Sequence, residues 1–120
     1  TQLSCGKDNG MREQDYQKKI VKLLEDRGAY TAKVIVASKK GVPDIVACVP
    51  MSKEQVLKHF ETTDTIGVFM GIEVKTPSTM NNVSKLQEYN LKKINDAGGI
   101  AIVAWSVNRI EEICNGLKND

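Results

Sequence analysis

The sequence is poor in most features that mark a specialised chain. Aromatic residues make up only 5% of its 120 positions, which excludes a platform on which successive single-stranded bases could stack. Histidine occurs once, as His59, and a lone histidine in a polar stretch reads as a surface residue rather than a metal ligand. Cys5, Cys48 and Cys114 are scattered without C-x-x-C spacing. That excludes a disulfide framework and a zinc site, and leaves reduced, buried thiols that act as small apolar side chains. No apolar run approaches the roughly 20 residues of a membrane span. The N-terminus has no signal-peptide core, so a soluble cytoplasmic protein is expected. Neither sign of charge dominates: 17 Lys and Arg face 15 Asp and Glu, a net +2. This excludes a blanket packager of nucleic acid but leaves room for local basic patches. There is no repeat and no low-complexity segment.

What is present is ordinary globular material, 41% hydrophobic and 27% charged. A chain of this length can bury a core without staples. Residues 1–10 read as a flexible polar tail and 11–120 as a single domain. From about Met11 to Arg27, Tyr16, Ile20, Leu23 and Leu24 recur on one helical face, and Gly28 stands where helices stop in a left-handed turn. Tyr30 to Ala37 is rich in β-branched residues and reads as a strand, closed by the loop S-K-K-G-V-P. Asp44 to Val49 suits a second strand. Residues 50–66 are polar, with a short helix around Lys53 to Phe60, and form an insertion. Gly67 to Lys75 is a third strand. Ser84 and Gln87 have capping-box spacing at the start of a helix from about Lys85 to Ala97, which Gly98-Gly99 closes. Ile100 to Trp105 is a fourth strand and Asn108 to Leu117 a terminal helix. The order is α-β-β-β-α-β-α, an α/β class with a right-handed β-α-β crossover and therefore a parallel strand pair.

Two acids stand out by position. Asp44 opens an apolar strand directly after Pro43. Glu73 lies near the end of another apolar strand, and Lys75, two residues on, leaves the same face. If the two strands are neighbours, two carboxylates and an ammonium group meet. Phosphodiester hydrolysis asks for such a set. Hard divalent cations prefer carboxylate oxygens, and one or two suffice for Mg²⁺ when water and phosphate fill the other positions. A lysine can orient the attacking water or neutralise the transition state.

These residues resemble a known family. G-V-P-D at 41–44 followed by G-I-E-V-K at 71–75 looks like the bipartite signature of the PD-(D/E)xK nuclease superfamily. S-K-L-Q-E-Y at 84–89 and the strand after Gly98-Gly99 sharpen the likeness to its virus-type replication-repair nuclease (VRR-NUC) group. The likeness covers about residues 11–106. It implies a restriction-endonuclease-like α-β-β-β-α-β core, with a mixed four-stranded sheet flanked by helices. It further implies Asp44 and Glu73 as metal ligands with the backbone carbonyl of Val74, Lys75 as the catalytic lysine, and Mg²⁺ as cofactor with Mn²⁺ able to substitute. Gln87 matches a glutamine of the following helix that positions a phosphate or water, a role compatible with its place in the cap. The family's acidic residue on the first helix falls on Glu13, with Gln17 one turn along as the second choice.

Lys39, Lys40, Lys85 and Gln17 are the candidate DNA contacts, Lys39 and Lys40 foremost because their loop leads into Asp44. No base-reading motif stands out, so specificity is expected from shape. The resemblance favours branched DNA, including Holliday junctions, a homodimer matched to a two-fold substrate, and a bacterial cell or phage-infected host. The 50–66 segment departs from the family's tighter spacing; it could contact DNA, cover the site or form an interface. The competing reading is a catalytically silent DNA-binding or assembly module on the same fold.

Overall fold

A computed structural model of the protein describes residues 12–116. The chain divides into two compact units, with the boundary between Pro50 and Met51. Among the described residues there are four helices and two small sheets, a mixed α/β architecture. Strands join two by two, where the order of elements led to the expectation of one four-stranded sheet.

The first unit contains α1 (Glu13–Asp26), β1 (Tyr30–Lys33) and β2 (Ile45–Cys48). Glu13 and Asp15 in the first turn of α1 suit the positive end of its dipole. The helix ends as its glycine requires. Gly28 takes φ +90°, its N–H reaches Glu25 O at 3.0 Å, and Ala29 N–H reaches Leu24 O at 3.1 Å. That pair of bonds is the Schellman arrangement, which satisfies the last carbonyls. Helix α1 packs on β1, and the hydroxyl of Thr31 donates to Glu25 at 2.7 Å. The more covered side of the helix carries Gln17, Val21 and Leu24. The Tyr16, Ile20 and Leu23 stripe remains 38%, 46% and 54% exposed, so periodicity located an apolar face but not the face this unit covers.

Strands β1 and β2 pair antiparallel, Tyr30 opposite Cys48 and Lys33 opposite Ile45, and the pairing is extended once by Val34 N–H to Asp44 O at 2.8 Å. The strand expected to run to Ala37 stops here. Beyond Val34 and Asp44 the pairing ends, and Ile35, Val36 and Ala37 belong to the connecting loop. Cys48 is buried at the inner end of the hairpin.

The second unit contains α2 (Lys53–His59), β3 (Met70–Val74), α3 (Lys85–Asp96), β4 (Ile100–Ala104) and α4 (Val107–Gly116). The short helix expected within 50–66 is α2, closed at its start by a Ser52–Gln55 capping box. Strands β3 and β4 run parallel, Met70 opposite Ile100 and Val74 opposite Ala104, joined through α3 as the crossover requires. Gly71 lets α3 approach closely, since a Cβ at that position would lie 2.5 Å from Ile94 Cδ1. Ile94, Ala97, Ile102 and Ala104 form the buried centre. The end of α3 repeats the glycine solution: Gly98 at φ +96°, Gly98 N–H to Asn95 O at 3.0 Å, and Gly99 N–H to Ile94 O at 2.9 Å. Ser106 caps α4 through Arg109 N–H, and the Arg109 guanidinium donates to Val103 O at 2.8 Å while lying 4.4 Å from the Trp105 ring centre.

Cys48 is buried as expected, but Cys114, on an outer turn of α4, is exposed; Cys5, the tail at 1–10, Met11 and Leu117 lie outside the described residues. No helix among the described residues is long and apolar enough to cross a membrane.

Candidate active site

The candidate residues fall in both units: Glu13, Gln17, Lys39, Lys40 and Asp44 in the first, and Glu73, Val74, Lys75, Lys85 and Gln87 in the second. Each group has its own geometry.

In the second unit, alternation along β3 puts Gly71, Glu73 and Lys75 on one face and Ile72 and Val74 on the other. The face that carries the charges is the one α3 covers, because Gly71 there meets Ile94. Glu73 and Lys75 are therefore half-buried, while Val74 is 74% exposed. A carboxylate drawn partly out of water needs a hydrogen-bond partner. Gln87 is that partner: its Nε2 donates to Glu73 Oε2 at 2.9 Å. At its other end, Gln87 Oε1 accepts the Ser84 backbone N–H at 2.9 Å, and Ser84 Oγ accepts Gln87 N–H at 3.1 Å. The two uses are coupled. Since the cap requires the oxygen, the amide nitrogen must face Glu73, whose carboxylate oxygen accepts it.

The backbone contributes as well. Lys75 N–H bonds to Ala104 O at 2.9 Å, so the polar backbone groups of residue 75 point toward β4. Those of residue 74 point the other way, because successive residues of a strand alternate. The Val74 carbonyl thus faces away from β4, where an oxygen donor beside Glu73 is available to a cation.

In the first unit, Asp44 is exposed at the base of the β1–β2 hairpin, and Gln17 Nε2 donates to its Oδ2 at 3.4 Å. Of the two α1 candidates, Gln17 is the one in contact with Asp44. Glu13 lies exposed one turn earlier, in the first turn of the helix.

The donor set fits a hard cation in kind: carboxylate and carbonyl oxygens, with no thiolate or imidazole among the candidates. No cluster of three or more His, Cys, Asp or Glu that could hold a metal occurs among the described residues. In the second unit the candidate donors are the Glu73 carboxylate and the Val74 carbonyl, and a divalent cation such as Mg²⁺ can make do with few protein ligands because it keeps several waters. His59 is exposed and packs edge-on to Phe60, so it is a surface residue.

The model of the VRR-NUC domain matches residues 8–108. The chain belongs to the VRR-NUC family. No curated protein and no solved structure shows a significant match. Membership makes the function nuclease-type, a hydrolase with DNA as its partner.

Within this VRR-NUC domain the lysines separate by what holds them. Lys92 is 2.8 Å from Asp96, and that hydrogen bond and charge raise its pKa above the ordinary lysine value. Lys22 is 3.1 Å from Asp26, and Lys93 lies 5.4 Å from the Tyr89 ring centre. Lys39 and Lys40 sit exposed on the hairpin loop, and Lys85 is exposed at the first position of α3.

One feature was not singled out from the sequence. After Lys75, Thr76, Ser78 and Thr79 gather their hydroxyls, with Thr76 Oγ1 2.9 Å from Thr79 Oγ1 and 3.1 Å from Ser78 Oγ. Hydroxyls of this kind donate to phosphate oxygens. The T-P-S-T composition signals the turn, but not that the three groups converge.

Proposed function

We propose that this VRR-NUC domain is a Mg²⁺-dependent endodeoxyribonuclease acting on branched DNA of the junction type. The observation that supports it best is Glu73, half-buried on the same strand face as Lys75 and tethered by a glutamine whose orientation a helix cap sets. A purely structural carboxylate has no need of a lysine two residues on and a locked donor beside it.

In this reading Asp44, Glu73 and the Val74 carbonyl are the residues that would ligate the cation, Mg²⁺ with Mn²⁺ as substitute. The cation would lower the pKa of a water and offset charge on the phosphate oxygens. Lys75 supplies a compact positive charge that orients the attacking water and neutralises the developing oxyanion. Gln87 keeps Glu73 in register, and Gln17 does the same for Asp44. Glu13, near the entrance of α1, is the outer acidic member of the set. Lys39, Lys40 and Lys85 hold the phosphate backbone, which positions the duplex without reading its sequence. A homodimer would present two such sites to the two strands of a junction.

The test is to incubate the protein with branched and linear DNA in Mg²⁺, Mn²⁺ or EDTA. Cleavage that is metal-dependent and favours the branch is expected. Binding without cleavage in any metal would leave a silent DNA-binding module on the same fold.

A further inference from the structure

The β1–β2 hairpin carries the largest local anomaly among the described residues. Ile35 and Val36 are each 89% exposed, the most exposed of the large apolar side chains. Adjacent β-branched residues are ordinarily found packed on a sheet. Here they stand outside the ladder, which ends at Val34 and Asp44. The loop that bears them is braced: Val34 N–H meets Asp44 O at its base, Gly41 turns at φ +77°, and Pro43 fixes the descending arm.

Its charge is one-sided. From 35 to 43 the loop contains Lys39 and Lys40 and no acid, and the exposed Lys33 flanks it on β1. A loop that exposes an apolar pair and carries two lysines matches the two surfaces of duplex DNA. Its apolar groups suit base faces, and its ammonium groups suit the phosphates on either side. Asp44 lies at the foot of the same loop, so a duplex gripped there is placed beside a candidate catalytic residue.

We propose that this hairpin loop is a wedge: Ile35 and Val36 insert at a base step and unstack it, while Lys39 and Lys40 hold the flanking phosphates. The inference takes its occupant from the DNA-cleavage reading. It adds a means of selecting substrates, because unstacking is easiest where pairing is already interrupted, as at a branch point.

The test uses duplex and branched DNA with 2-aminopurine at the branch point, in EDTA so that no strand is cut. Binding should raise the fluorescence severalfold on the branched substrate. Ile35→Ser/Val36→Ser should abolish that rise while keeping the salt dependence of binding. Ile35→Leu/Val36→Leu should retain it. Lys39→Ala/Lys40→Ala should weaken binding to every substrate and reduce the slope of log affinity against log salt by about 2, roughly one per lost phosphate contact. An unchanged rise in the serine double variant, or no rise with the native chain, would overturn the wedge. Cleavage assayed separately in Mg²⁺ distinguishes the two readings. A rise dependent on Ile35 and Val36 without cleavage keeps the wedge and removes the hydrolase reading, whereas cleavage without a rise does the reverse.

Discussion

Gln87 offers the sharpest handle on the second unit, because one amide serves both a helix cap and a carboxylate. Gln87→Ala removes the bond to Ser84 N–H and the bond to Glu73 Oε2, both 2.9 Å. The reciprocal half of a capping box contributes about 1 kcal/mol. A hydrogen bond to a charged group is worth about 1.5–3 kcal/mol, discounted here to about 1 because Glu73 is half-buried and water can replace the donor. The expected loss is therefore about 2 kcal/mol, a fall in Tm on the order of 10 °C for a small domain. Ser84→Ala is the control. It deletes the hydroxyl cap, at a cost of about 1 kcal/mol, but leaves the backbone N–H that orients Gln87. Gln87→Glu keeps an oxygen for the cap and sets a second carboxylate against Glu73. Initial rates of DNA cleavage should follow the Glu73 bond rather than stability. Ser84→Ala should stay near the native rate, Gln87→Ala should fall about 10–100-fold, and Gln87→Glu should fall furthest. If the rates of Ser84→Ala and Gln87→Ala track their melting temperatures alone, Gln87 only caps α3 and the positioning argument fails.

Three further outcomes are expected. Asp44→Asn and Glu73→Gln should each abolish cleavage while the circular dichroism spectrum stays native; full activity in either removes that residue from the site. Gly71→Ala should cost about 1 kcal/mol in urea unfolding, since the added Cβ presses on Ile94, whose tip must shift within a packed centre; a neutral result would mean that α3 moves freely on β3. Lys92→Ala should leave DNA affinity within about twofold, because its charge is already engaged by Asp96, whereas Lys85→Ala should weaken binding and flatten its salt dependence; equal effects would contradict this division of the lysines.

Features that depend on a few neighbouring residues were legible before any coordinates. Both glycine-terminated helices, the Ser84–Gln87 box, the short helix inside 50–66 and the shared face of Glu73 and Lys75 follow from local dihedral preferences and the period of a strand. The same reasoning extended β1 through Ile35, Val36 and Ala37, because β-branched composition says nothing about where the pairing with a partner strand ends. It also assigned Tyr16, Ile20 and Leu23 to a packed stripe, because a helix with apolar residues on two flanks does not announce which flank meets its neighbour. Cys114 was misread for a similar reason: a thiol's small apolar character fits a core but does not create one around it.

By itself, then, the order of residues determined the element types, most of their ends, the parallel crossover and the identity of the candidate acids and lysine, since these follow from local preferences, from the succession of elements and from short motifs read in order. Only tertiary structure decided that Gln87 grips Glu73 while capping its own helix, that Gln17 is the α1 side chain on Asp44, and that two β-branched residues stand in solvent. Those outcomes depend on contacts between segments distant in sequence, where a residue of one helix reaches a carboxylate on a strand and a missing side chain at Gly71 sets how near that helix can come.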